Sequence, residues 1–337
     1  MSYVTIMLRK LLLYLFVFFV FPAGCFIVQA QADQVSGDIQ FELSPKYPGP
    51  NEQVRIQAVS HSFDKNTAPY TWYVNGKQVE KGTAKTEISI TTGAVGTSLV
   101  VRVVATPPGI RTYDNSITIR PSTLDLIWDT NSYTPTEYRG KALPAQNSIV
   151  TAIAMPSFVT SSGKRQASSL IYDWWVNNKL LKERSGRGKN TLHVRMASNS
   201  NTQHTIRVRV SDDKNEVTQQ KQVAIQIHDP LLLFYELHPL NGPQYQSAIA
   251  NSFRVAPGEQ KSFLAIPYFA SAPQNALTYA WRVNNEKIPP SADDKTPYIL
   301  NYFTEEGSSA QQSVSLEITN PFYMLEFIKK SFRVYAE

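Results

Sequence analysis

The sequence predicts an all-β chain: three antiparallel β-sandwiches in tandem behind an N-terminal signal or anchor helix. Three observations lead there. The frame Tyr-x-Trp-x-Val-Asn occurs over residues 70–75, 172–177 and 279–284, and its tryptophans Trp72, Trp174 and Trp281 lie 102 and 107 residues apart. That period is close to the length of one two-sheet sandwich and marks a repeated module. Around each copy, apolar and polar residues alternate with the period of two that puts one strand face in a core and the other in water. Aromatic residues make up 11% of the chain and charged residues only 18%, with 21 prolines, which suits short strands joined by tight turns.

The module can be followed element by element. A strand precedes each Trp, at residues 54–58, 148–153 and 262–266. The Trp strand comes next and ends in Asn75-Gly76, Asn177-Asn178 or Asn284-Asn285, pairs that tolerate positive φ and close two-residue hairpins. Trp72, Trp174 and Trp281, with Val74, Val176 and Val283 on the same face, are the expected structural core, one large aromatic filling the space between sheets. Tyr73, Trp175 and Arg282 point the other way. For Trp175 two readings stand: cover by a neighbouring module, or an exposed contact. An alternating strand follows at 206–210 and 314–318; its counterpart at 99–104 is apolar on both faces except at Arg102, which predicts cover on its second side. A last strand lies at 116–119, 223–227 and 332–335. Pro121 and Pro230 end strands and divide the chain into domains 33–121, 122–230 and 231–337, with 1–32 set apart. Junctions this short suit a semi-rigid rod better than tethered beads.

Residues 1–32 have the pattern of an export signal. Arg9 and Lys10 precede an apolar run over 11–21, and small residues up to Ala30 and Ala32 offer cleavage sites. The apolar stretch continues to Val28, about 18 residues, so an uncleaved membrane anchor stands beside it. A third alternative uses Cys25, the only cysteine: Ala23-Gly24-Cys25 ends as a bacterial lipoprotein signal does, with the thiol as lipid attachment point. Beyond residue 32 there is no cysteine, which excludes thiol catalysis, thiolate metal sites and disulfides there.

Little else carries chemistry. His61, His193, His204, His228 and His238 lack metal-protease spacing, although His193 and His204 could face each other across a strand pair. Asp212, Asp213 and Glu216 form a hairpin turn by this reading, and neither they nor Asp293-Asp294 show a calcium-loop pattern. There is no Gly-x-Ser-x-Gly and no glycine-rich phosphate loop. No catalytic residue, metal site or cofactor is expected, and the chain is not expected to be an enzyme. Charge is uneven: residues 33–337 carry 31 basic and 27 acidic side chains (31 − 27 = +4), and residues 122–230 carry 14 and 9 of them. The segment 179–189 holds Lys179, Lys182, Arg184, Arg187 and Lys189 against Glu183, a candidate exposed loop for an anionic partner through counterion release, or else a solvated turn. Few aromatics interleave with it, so nucleic acid is not the expected partner.

The first frame, with Pro48-Gly49-Pro50-Asn51-Glu52-Gln53-Val54 before it, resembles PKD-type and related bacterial immunoglobulin-like domains. The stretches Leu126-Ile127-Trp128-Asp129, Ser132-Tyr133-Thr134-Pro135 and Phe234-Tyr235-Glu236-Leu237-His238-Pro239-Leu240 resemble uncharacterised triple-domain surface proteins of candidate-phylum bacteria. The resemblance implies immunoglobulin-like sandwiches in an exported, cell-surface protein, and it brings no activity with it. The expected function is non-enzymatic: a rod of modules acting as spacer or adhesive binding module, with a protein or an envelope polymer as partner and the membrane reached through the N-terminal segment. The alternative is an accessory structural subunit of a pilus or secretion system.

Overall fold

A computed structural model of the chain describes residues 39–197, 199, 202–289, 296–304 and 311–336. The expected signal or anchor segment 1–32, with Cys25, and Asp293-Asp294 lie outside these. Among the described residues there is no α-helix, only three short 3-10 turns, and no helix is long and apolar enough to cross a membrane.

Strands β1 to β7 cover Gln40–Ser44, Gln53–Val59, Pro69–Val74, Lys77–Thr83, Glu87–Thr91, Leu99–Ala105 and Tyr113–Ile119. They form two sheets in the orders β1-β2-β5 and β4-β3-β6-β7. In constant-type immunoglobulin domains the fourth strand belongs to the first sheet; here β4 pairs with β3 instead. Strands β8 to β17 cover Thr123–Thr130, Ile149–Ser157, Val159–Thr160, Gly163–Lys164, Ile171–Val176, Lys179–Leu180, Gly186–Arg187, Thr191–Arg195, Gln203–Ser211 and Thr218–Gln226. Their main sheets run β15-β9-β8 and β13-β12-β16-β17, with β14 also on β12. Strands β18 to β26 cover Leu231–His238, Gly242–Ile249, Ser252–Val255, Gln260–Tyr268, Thr278–Val283, Glu286–Lys287, Ile299–Phe303, Gln311–Asn320 and Tyr323–Ala336. These build β19-β18-β21-β24 and β20-β26-β25-β22-β23. The ladders are antiparallel except β20 with β26, which is parallel and corrects the expectation of purely antiparallel sheets.

One apolar cluster lies within each of the three sheet pairs, around Trp72, Trp174 and Trp281. Trp72 and Trp174 are fully buried and Trp281 nearly so. A buried indole needs an acceptor for its N–H. In each copy Nε1 donates to a backbone carbonyl further along the chain: Lys85 at 2.7 Å, Lys189 at 2.8 Å and Pro297 at 3.0 Å. That bond explains why the position holds Trp and not Phe.

The asparagine of the frame is a clip as well as a turn residue. Asn75, Asn177 and Asn284 have φ of 49°, 48° and 48°, a region Asn tolerates better than most residues. Each Oδ1 accepts the N–H of Val100, Thr205 or Ser313 at 2.9 Å, tying the turn to the neighbouring strand.

Two core expectations need correction. Val74, Val176 and Val283 are half-buried at the margin of the cores, because they end their strands beside the hairpin. The Tyr two residues before the Trp lies deeper in two copies, at Tyr70 and Tyr172. Burial pushes the Tyr172 phenol up to about 12, and its hydroxyl donates to the Ala167 carbonyl at 3.0 Å. The second face of β6 is open: Val100 is 42% exposed, and Arg102 pairs with Asp114 and lies over the Tyr73 ring at 5.5 Å.

The sheet pairs are tied together at both seams. At the first, Gln219 Nε2 donates to the carbonyls of Pro48 at 3.1 Å and Ser122 at 2.9 Å, and Arg120 meets Glu216 at 3.3 Å. At the second, the segment 131–147 between β8 and β9 leaves its own sandwich as a strap. The Tyr133 N–H donates to the Ala270 carbonyl at 2.7 Å, and the Phe269 N–H donates to the Tyr133 carbonyl at 2.6 Å. Phe269 has φ of 64°, uncommon for so bulky a residue. Tyr138 packs edge-on against Tyr268 and Phe269, at 5.8 and 5.4 Å. With Leu143 it covers an apolar cluster on the outer face of the β18–β21 sheet. Strand β21 is therefore buried on both faces over 263–268, and its alternation disappears.

Candidate functional site

The candidate site is the outer face of β12 and β16 with the basic edge beside it. Alternation along β12 sends Tyr172 and Trp174 inward and Asp173 and Trp175 outward. Register with β16 sets Asp173 opposite Arg209 and Trp175 opposite Arg207. Both guanidinium groups lie over the Trp175 ring, at 4.7 Å for Arg207 and 5.5 Å for Arg209. Arg209 also donates to Asp173 Oδ2 at 2.6 Å, and that bond raises its pKa. Gln222 and Gln220 on β17 continue the rows beyond the two arginines.

Trp175 thus lies between the two expectations. It is half-buried under the arginine pair of its own sheet, and Tyr47 of the first sheet pair reaches Arg209. Such a stack is worth about 0.5–1 kcal/mol at an exposed site. It holds two cationic groups flat on an aromatic, a surface suited to carboxylate or sulfate groups by charge-assisted hydrogen bonds. The outward arginines were readable in Ile206-Arg207-Val208-Arg209-Val210; their register with Trp175 was not.

The basic segment is an ordered sheet edge and not the expected loop. Lys179 lies on β13 and Arg187 on β14, both paired to β12, while Lys182 and Arg184 sit in a 3-10 turn. The five basic side chains are exposed. Two are used internally: Arg187 donates to the Ser169 carbonyl, and Lys189 Nζ to the Glu183 carbonyl at 2.7 Å. Ser185 Oγ accepts the Trp174 backbone N–H at 3.0 Å, and the Lys189 carbonyl takes the Trp174 indole. The segment therefore helps to build the core behind it. Lys179, Lys182 and Arg184 make no side-chain bond among the described residues and remain for a partner.

The histidine pairing is corrected. His193 on β15 meets Thr151 at 2.9 Å, whereas His204 lies on β16 in the opposite sheet, beside Asn177 at 3.2 Å. Burial lowers the His204 pKa. Asp212 closes the β16–β17 hairpin as read, accepting the N–H groups of Lys214 and Val217 at 3.0 and 2.9 Å. Among the described residues no group of three or more His, Cys, Asp or Glu could hold a metal ion.

No protein-family model matches this sequence, and no curated protein matches it. Among solved structures, the chain is similar to the fibronectin(III)-like modules of Clostridium thermocellum CbhA, with a TM-score of 0.27 and 14% identity over 56% of this chain and 94% of that one. It is also similar to three N-terminal domains of the bacteriophage RB49 Highly Immunogenic Outer Capsid protein, with a TM-score of 0.25 and 11% identity over 89% and 97%. The central fibronectin-III array of RIM-binding protein gives a TM-score of 0.26 and 13% identity over 84% and 91%. Similarities this weak say nothing of activity or partner. The all-β sandwich architecture rests on the paired sheets and cores.

Proposed function

We propose that this chain is an exported, non-enzymatic surface protein of three immunoglobulin-like domains, 33–121, 122–230 and 231–337, forming a semi-rigid spacer that presents an adhesive face. The seams carry the spacer part. Gln219 at one junction and the Tyr133 backbone pair at the other are bonds that a freely jointed chain of modules would not need. The arginine face and basic edge of the middle domain supply the adhesive part, toward a protein or an anionic envelope polymer. Attachment would run through residues 1–32, by signal, anchor or a lipid on Cys25, and mass analysis of the mature N-terminus distinguishes these.

Spin labels at Lys81→Cys and Glu286→Cys in a Cys25→Ser background test the spacer. A narrow distance distribution is expected, and a broad one rejects the reading. Exposed Phe322 and Phe327, at 71% and 66%, favour a second reading as an accessory subunit that makes protein contacts through β26.

A further inference from the structure

At the strap an open cleft of about 360 Å³ lies between residues 133–137 and the outer face of the β18–β21 sheet. That is within the range of small-ligand sites. Leu264, Ile266 and Ile299 form an apolar floor, and the rings of Tyr133, Tyr245 and Tyr298 stand around it, each half-buried. Gln274 and Glu137 are further polar groups of the lining, with Thr134 and Thr136 beside them. Gln274 accepts the Tyr133 hydroxyl at 2.8 Å and donates to the Ala265 carbonyl at 3.2 Å, so its amide is held in one orientation. Glu137 is exposed at the rim, on the side of Tyr245. Burial first, and Glu137 next, raise the Tyr245 and Tyr133 pKa values, so both phenols stay protonated at neutral pH.

We propose that this cleft binds a neutral oligosaccharide. The negative faces of aromatic rings attract the weakly positive C–H groups on one side of a sugar ring, and an apolar floor accepts the same surface. Sugar hydroxyls both donate and accept; the Tyr245 and Tyr298 phenols and the second Gln274 N–H can donate, while the Tyr133 oxygen, its proton held by Gln274, and Glu137 accept. No Lys, Arg or His is among the cleft's described lining residues, and its one formal charge is a carboxylate. An anionic ligand is disfavoured on that account, which separates the cleft from the arginine face of the middle sheet. The inference deepens the adhesive part of the proposed function by giving it a second ligand class.

The test titrates the full chain with cellohexaose, maltohexaose, xylohexaose and chitohexaose, alongside dextran sulfate and a proline-rich dodecapeptide. At least one neutral hexasaccharide should bind, with affinity little changed between 50 and 500 mM salt. Tyr245→Ala should weaken that binding by about tenfold or more. Glu137→Gln, at the exposed rim, should weaken it severalfold and serves if Tyr245→Ala does not fold. No binding of any neutral hexasaccharide overturns the proposal, as does binding that both variants retain. Binding of the peptide alone, lost in Tyr245→Ala, also overturns it and makes the cleft a peptide site. Salt-sensitive dextran sulfate binding reports on the arginine face separately, so either ligand reading can fail while the other stands.

Discussion

The outer face of β12 and β16, in the Trp-bearing sheet of one sandwich, and the outer face of β18 and β21, in the opposing sheet of the next, have opposite fates. In the middle module that face carries charged and polar side chains, with Arg207 and Arg209 over the half-buried Trp175. In the C-terminal module the strap lies across it, and Leu264, Ile266, Tyr268 and Phe269 become a further buried cluster. The residues follow this difference. Arginines, glutamines and one flat aromatic serve an open sheet; a continuous apolar run serves one packed on both sides. Cover also creates the cleft, because a strap laid over a pleated face leaves a gap where it turns away.

Mutation can break or sharpen this contrast. Ile266→Ala on the covered face should cost about 2–5 kcal/mol, since it empties a packed site. Trp175→Ala, although it removes a larger ring, should cost only about 0.5–1 kcal/mol. Urea unfolding of both variants checks the order, and equal losses would mean that the two faces are packed alike. An intermediate effect is expected one residue before Trp175. Trp174→Phe keeps most of the buried ring area but strands the Lys189 carbonyl, a loss of about 1–3 kcal/mol; Trp175→Phe has no such bond to lose and should be milder by the same measurement.

The smallest effect lies inside the middle module. Burial holds the His204 imidazole below its ordinary value of 6.5. As pH falls through 6.5, the unfolded chain takes up this proton before the folded one does, so stability declines from there down to the folded-state value. His204→Gln should therefore lose less stability than the parent chain between pH 7.5 and 5.5. An identical loss in both would assign the acid sensitivity to other groups.

Much of the fold is legible in the residues. Trp72, Trp174 and Trp281 announce their cores, the Asn residues their hairpins, and Asp212 its turn, because each of these roles is played out within a few neighbouring positions. The candidate site was only half legible. The basic residues of 179–189 and the outward Arg207 and Arg209 can be seen in the sequence, but their convergence on Trp175 depends on a strand register joining positions about thirty residues apart. Val74, Val176 and Val283 share the face of their tryptophans yet lie at the core margin, because a period of two gives the face of a strand and not how far the core extends along it.

By itself, then, the sequence determined the all-β class, the module period and the inward tryptophans, since alternation along one strand is a local property. Tertiary structure alone decided which outer face is covered and where a cleft opens. The Tyr133 hydroxyl reaches Gln274 across 141 positions of chain, and no pattern within either segment specifies the other. That pairing exists because the strap's tyrosines and the apolar run of β21 each have a surface to remove from water, and folding brings the two together.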